Sequence, residues 1–104
     1  MRKKRVDMFS YNLFRQGGER LLAVCDESVL GKTFTGGDIE ITVSDFYRGK
    51  KCGEKEILRI AKQSTIINAV GNKITGLLIK NRLVDESSVL NIGGVPHAQV
   101  VSVT

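Results

Sequence analysis

An alternating run at 38–45, an amphipathic run from Glu54 to Gln63 and short β-branched segments around them predict a mixed α/β or α+β fold. The expected order is β-β-β-α-β-α-β-β, one mixed sheet with two main helices. At 104 residues the chain has the length of one domain, and its core is large enough to fold without a metal or disulfides. The expected division is a basic tail at 1–5 and a single globular domain at 6–104.

Val6 to Phe14 reads as a strand, with Val6, Met8, Tyr11, Leu13 and Phe14 apolar. Gln16-Gly17-Gly18-Glu19 is a turn signal, and the apolar run Leu21 to Cys25 completes a hairpin. The glycine-containing polar segment from Asp26 to Gly37 reads as a loop anchored by Leu30 and Phe34. Asp38 to Asp45 alternates cleanly, with Ile39, Ile41 and Val43 on one face. Phe46 to Gly53 follows as a basic loop flanked by glycine.

Glu54 to Gln63 presents Ile57, Leu58, Ile60 and Ala61 on one helical face. It carries Glu54 and Glu56 in the first turn, where the helix dipole favours anions. Thr65 to Val70 suits a buried strand or an extended link. Gly71-Asn72 offers an N-cap to a second helix, Lys73 to Arg82, which Gly76 weakens by about 1 kcal/mol relative to alanine. Val84 to Ser88 reads as a turn and Val89 to Ile92 as a strand. A bend built by Gly93-Gly94-Val95-Pro96 then precedes a last strand from Ala98 to Val103.

The net charge of +5 is unevenly placed. Residues 1–5 carry +4, residues 6–47 carry −4, residues 48–82 carry +7 and residues 83–104 carry −2. Clustered positive charge attracts polyanions more than the total does. On the first helix Lys55, Arg59 and Lys62 share a face, with Lys51 one step before them. Lys73 and Lys80 lie two turns apart on the second helix, with the exposed backbone of Gly76 between them. Arg48, Lys50 and Lys51 form a basic loop beside Phe46 and Tyr47, whose rings suit stacking on bases. Together with Arg2-Lys3-Lys4-Arg5, these residues predict RNA as the partner, ribosomal RNA included. The corresponding function is a ribosome- or translation-associated RNA-binding protein that is more readily non-enzymatic than enzymatic. The bland alternative is a solvated surface that keeps the domain soluble.

A second candidate site is Pro96-His97-Ala98-Gln99, which holds the single proline and the single histidine. In a strand, His97 and Gln99 leave on one side. With Asn68 and Tyr47 as companions they would form the centre of a small enzyme or ligand-binding protein. A histidine near a turn is more often structural, and a catalytic one needs an orienting carboxylate or a nucleophile, for which Cys25, Cys52, Ser44 and Asp45 are the candidates. A third class is a protein–protein adaptor that pairs through its valine-rich C-terminal strand.

Other chemistry is disfavoured. Cys25 and Cys52 lie far apart with no CxxC and one His, which argues against a zinc site and for two reduced thiols. Gly31-Lys32-Thr33 lacks the upstream P-loop glycine, since Asp26 stands in its place. No metal or cofactor is expected. No apolar run reaches the roughly 20 residues of a membrane span, and the basic start is not followed by a signal-peptide core. A cytoplasmic protein with no membrane role is expected.

Three segments carry a family resemblance. They are Phe46-Tyr47-Arg48-Gly49 after the alternating strand, Asn68-Ala69-Val70-Gly71 before the second helix, and above all Gly94-Val95-Pro96-His97-Ala98-Gln99-Val100. On these the chain resembles the archaeal proteins grouped as the domain of unknown function 424 (DUF424) family over most of its length. The resemblance implies an archaeal, cytoplasmic, single-domain α/β protein and draws attention to Tyr47, Gly49, Asn68, Gly71, Pro96, His97 and Gln99. The family has no assigned reaction, so no catalytic residue carries over. The basic tail is not part of its pattern.

Overall fold

Eight strands and two α-helices are built by the described residues, 8–101, of the computed structural model. The predicted basic tail and the ends of the first and last predicted strands lie outside the described residues. A six-stranded mixed sheet has the order β5-β1-β2-β6-β8-β7, where β1 is Phe9–Gln16, β2 Glu19–Asp26, β5 Lys50–Cys52, β6 Ile66–Val70, β7 Val89–Ile92 and β8 Val95–Val101. All its pairings are antiparallel except β2 with β6. A parallel neighbour requires a crossover, and the segment that returns to β6 contains α1 (Glu54–Lys62). The second helix, α2 (Asn72–Lys80), connects β6 to the β7–β8 hairpin. The result is a single α+β domain with both helices against the sheet.

Side-chain alternation divides the core in two. On the helix side, Phe9, Tyr11, Leu22, Val24, Ile67, Ala69 and Ala98 pack against Ile57, Ile60, Ala61, Ile74 and Leu78 of the helices. On the other side, Ala23, Cys25 and Val70 are covered by Val43, Tyr47, Leu30, Phe34 and Ile41. Much of that cover comes from a separate hairpin of β3 (Thr33–Gly36) and β4 (Ile39–Thr42) and the loop that follows it. The register places Cys25 and Cys52 on opposite faces of the sheet, and both are free thiols.

Several elements differ from the sequence expectation. The segment read as a loop from Asp26 to Gly37 contains β3, which forms only because β4 pairs with it, and Leu30 and Phe34 do anchor it. The alternating run is shorter than expected, and β4 stands outside the main sheet, so Ile39 is left 48% exposed. The basic loop contains β5, whose Lys50 and Lys51 lie along Tyr11 and Ser10 of β1. Pro96 is not part of the bend. Gly93 and Gly94 alone make the turn, and Pro96 lies inside β8 opposite Asn91. A proline is tolerated there because its carbonyl, and so its missing N–H, faces the end of β6, where Gly71 N–H donates to Pro96 O at 3.0 Å.

Helix α2 is not capped by Asn72. Asp26, the last residue of β2, receives Lys73 N–H on Oδ2 and Ile74 N–H on Oδ1, both at 2.8 Å. The parallel register pairs Cys25 with Val70, so Asp26 sits against Gly71. A Cβ on Gly71 would lie 2.4 Å from the Asp26 carboxyl carbon, and the residue's φ of 126° is itself a glycine conformation. At its other end α2 stops two residues short of Arg82, which has φ 61°. Leu83 N–H bonds Leu78 O and Arg82 N–H bonds Ile79 O, a Schellman motif with arginine at the position glycine usually fills.

Three single variants and one double variant have stability outcomes. Asp26→Ala removes a buried charged acceptor of two amides and is expected to lower the free energy of unfolding by about 2 kcal/mol in urea denaturation. Gly71→Ala costs a similar amount, and the double variant costs less than the two singles together, because the two shortest contacts of the added Cβ are with the carboxylate that Asp26→Ala removes. Arg82→Gly is expected to raise stability by about 1 kcal/mol, since the left-handed conformation penalises a side chain. An unchanged or lower midpoint in that variant would count against this assignment.

Candidate nucleic-acid interface

The β1–β2 hairpin turns at Gly17-Gly18, with Gly17 at φ 61° in the first central position. A two-residue loop fixes the register, so Arg15 lies directly opposite Arg20. Both side chains share the helix face of the sheet with Tyr11 and Leu13, four and two residues before Arg15. There they meet the last turn of α1. A cleft of about 130 Å³ is lined by Tyr11, Leu13, Arg15, Arg20, Arg59 and Gln63 together with Ile60 and Ser64. Arg20 Nε donates to the carbonyl of Gln63, the residue that ends α1. Arg59 is held at its edge by Glu56, through Nη2 at 2.7 Å and Nε at 3.3 Å. Each of that pair stabilises the charged form of the other, which lowers Glu56 and raises Arg59 from their ordinary values. Arg15 has no ion pair among the described residues.

The predicted cations divide between the two sides of the sheet. Lys55 and Lys62 lie on the exposed side of α1 with Arg59, and Lys50 lies beside Tyr11, so all four border the cleft's side of the molecule. Lys73 and Lys80 are on α2 in the same layer, and Gly76 between them faces open space. Arg48, Lys51 and Phe46 belong to the opposite side. Arg48 pairs with Asp45 at 2.9 Å and Lys51 pairs with Glu27. Phe46 stacks on Phe14 with centroids 5.2 Å apart and planes 8° from parallel, both rings remaining partly exposed.

Tyr47 does not offer its ring for stacking. It is 8% exposed, packed with Cys25, Val43 and Val70, and its hydroxyl is pushed up to about 12, by burial first and then by the nearby Cys25. Its backbone is equally committed. Ser10 donates to Tyr47 O at 2.7 Å, and the Asn12 amide donates to Arg48 O at 2.8 Å and to Phe46 O at 3.1 Å. The thiols of Cys25 and Cys52 are raised to about 12 and about 11, chiefly by burial, and so are poor nucleophiles at neutral pH.

The second predicted group assembles differently. Asn68 and Gln99 are direct partners across β6 and β8, and His97 lies one row away on the same face, opposite Val70 and Leu90. Tyr47 packs against that Val70 from the covering layer. No described carboxylate, thiol or hydroxyl is hydrogen-bonded to the imidazole, and burial lowers its pKa from the ordinary value.

The family model described as "Protein of unknown function (DUF424)" matches residues 14–103. The chain belongs to the DUF424 family. The DUF424 match includes the Arg15–Arg20 hairpin, α1 and the Pro96–Gln99 segment. No curated protein matches the chain. It is similar to a crystal structure of an uncharacterized conserved protein from Methanopyrus kandleri, with 26% identity, a TM-score of 0.74, and coverage of 93% of this chain and 95% of that one. Among the described residues no helix is long and apolar enough to cross a membrane.

Arg15, Arg20, Tyr11 and Gln63 were not identified from sequence as members of one site. The usable signal was the Gly17-Gly18 turn, since a two-residue loop there pairs Arg15 with Arg20 and places them with Tyr11.

The half-buried imidazole gives a pH outcome. Its folded-state pKa is depressed, so protonation favours the unfolded chain. Stability contributed by neutral His97 is complete above the unfolded value of about 6.5, falls as the pH drops below it, and levels beneath the folded value. Melting temperatures between pH 7.5 and 5 are expected to fall less in His97→Gln than in the unaltered protein. Parallel curves would show that the imidazole does not report the folding equilibrium.

Proposed function

We propose that this protein binds RNA, as a cytoplasmic ribosome- or translation-associated protein, through the helix side of its sheet. The observation that carries the reading is the continuity of Arg15, Arg20 and Arg59 around one cleft with Lys50, Lys55 and Lys62 beside it. Of these cations only Arg59 is engaged by a carboxylate among the described residues. That bond is an exposed ion pair, which contributes little and exchanges readily for a phosphate. Guanidinium and ammonium groups on a rigid helix and hairpin suit a phosphate backbone, and they contribute affinity without requiring a sequence.

The first test is sedimentation of lysate from the source organism through sucrose gradients, with this protein detected in each fraction. Co-migration with ribosomal particles at low salt and release at high salt supports the reading. Migration only at the top of the gradient, or a complex indifferent to salt, overturns it. With purified single-stranded RNA, the logarithm of affinity is expected to fall linearly with the logarithm of salt concentration. Lys55→Gln combined with Lys62→Gln should make that slope shallower by about 1.4, at about 0.7 for each phosphate no longer neutralised.

A further inference from the structure

We infer that the cleft between the β1–β2 hairpin and the last turn of α1 is a seat for one phosphate group, gripped by Arg15, Arg20 and Arg59. The inference rests on the RNA reading only for the source of that phosphate.

Three observations carry it. The first is the facing pair. Like charges directly opposite on an antiparallel ladder repel, and Arg15 faces Arg20 in that position. The Gln63 carbonyl and the negative end of α1 offset part of the charge on Arg20. Arg15 has no ion pair among the described residues, so an anion held between the two arginines would balance both charges.

The second is the donor set. Arg20 uses Nε on Gln63 and keeps its two terminal nitrogens for a ligand, and Arg59 keeps Nη1 after its two bonds to Glu56. The Tyr11 hydroxyl has no hydrogen-bond partner among the described residues, and burial raises its pKa, so it remains a donor. No carboxylate lines the cleft. Guanidinium forks match pairs of phosphate oxygens, which an ammonium does not.

The third is size. A water molecule occupies about 30 Å³ in the liquid, so the cleft's volume of about 130 Å³ holds a few waters, or one tetrahedral oxyanion with a water or two.

The test is titration with inorganic phosphate at constant ionic strength held by chloride, read by calorimetry and by phosphorus resonance broadening. Saturable binding is expected, weakened at least about tenfold in Arg15→Gln and in Arg20→Gln, and unchanged in Lys32→Gln, which precedes β3 on the other side of the sheet. Circular dichroism of each variant establishes that it is folded. Phosphate binding no stronger than chloride, or binding in either arginine variant as tight as in the unaltered protein, overturns the seat.

A short oligoribonucleotide with a 5′-phosphate and its 5′-hydroxyl counterpart then separate the sources. A preference for the phosphorylated form places a chain terminus in the seat, and equal arginine-dependent binding places an internal phosphate there. Saturable inorganic phosphate binding with no binding of either oligonucleotide keeps the seat and removes the RNA reading.

Discussion

The carboxylate of Asp26 joins the centre of the sheet to the helix layer. It ends β2, which pairs with β1 on one side and β6 on the other, and it accepts the first free amides of α2. Four N–H groups at a helix start lack intrahelical partners, and a buried start without acceptors is costly. Glycine at 71 lets the strand end and the helix start come within bonding distance. The parallel register of β2 with β6 then determines everything placed by α2, including the β7–β8 hairpin and with it the row that holds His97. A shift of one residue in that register would move Asp26 off Gly71 and turn the β6 core side chains to the wrong face.

The same sheet separates two kinds of surface. Its β3–β4 side is finished by a hairpin and a loop whose carbonyls are held by Ser10 and Asn12 and whose cations, Arg48 and Lys51, already have acidic partners. On its helix side the arginines face one another and the lysines of α1 face solvent. Net charge alone does not distinguish these surfaces, because paired cations count the same as unpaired ones. The pairing shifts interest from the loop at 48–51 to the hairpin and α1. It also separates the partly exposed Phe14–Phe46 stack from the main cationic surface, so aromatic and electrostatic contacts do not converge on one spot.

Patterns that repeat within one element were legible in the sequence. The amphipathic face of α1, the alternation of β4 and the Gly17-Gly18 turn each depend on neighbours a few residues away, and the strand-helix order followed from them. What escaped depends on partners distant in the chain. Lys50-Lys51-Cys52 has no apolar period and becomes a strand only because β1 offers an edge. Pro96 looked like a bend because proline usually avoids strands, yet β6 ends where its missing donor would have pointed. Tyr47 looked exposed between charged residues, but Ser10 and Asn12 pull its backbone over the second core. Arg15 and Arg20 sit in the acidic part of the chain, where a count by segment hides them.

The position of that arginine pair bears on why it exists. Two other cations near the sheet find an acid, as Arg59 finds Glu56 and Lys51 finds Glu27. The hairpin has an acid available too, since Glu19 neighbours Arg20 in sequence, but alternation sends the Glu19 side chain to the opposite face, where it lines a different groove with Phe14 and Leu21. The register that sets the two arginines opposite each other therefore also sends the side chain of Glu19 away from them. A repulsion of a few tenths of a kcal/mol to about 1 kcal/mol is easily carried by a hairpin whose inner residues pack on both cores. Replacing Arg15 with a neutral residue would relieve that repulsion without breaking an ion pair among the described residues, whereas Arg20 also ties the hairpin to the Gln63 carbonyl at the end of α1. An anion bound in the proposed seat would turn this local cost into a gain, because the proximity that sets two like charges against each other also brings both to bear on one ligand.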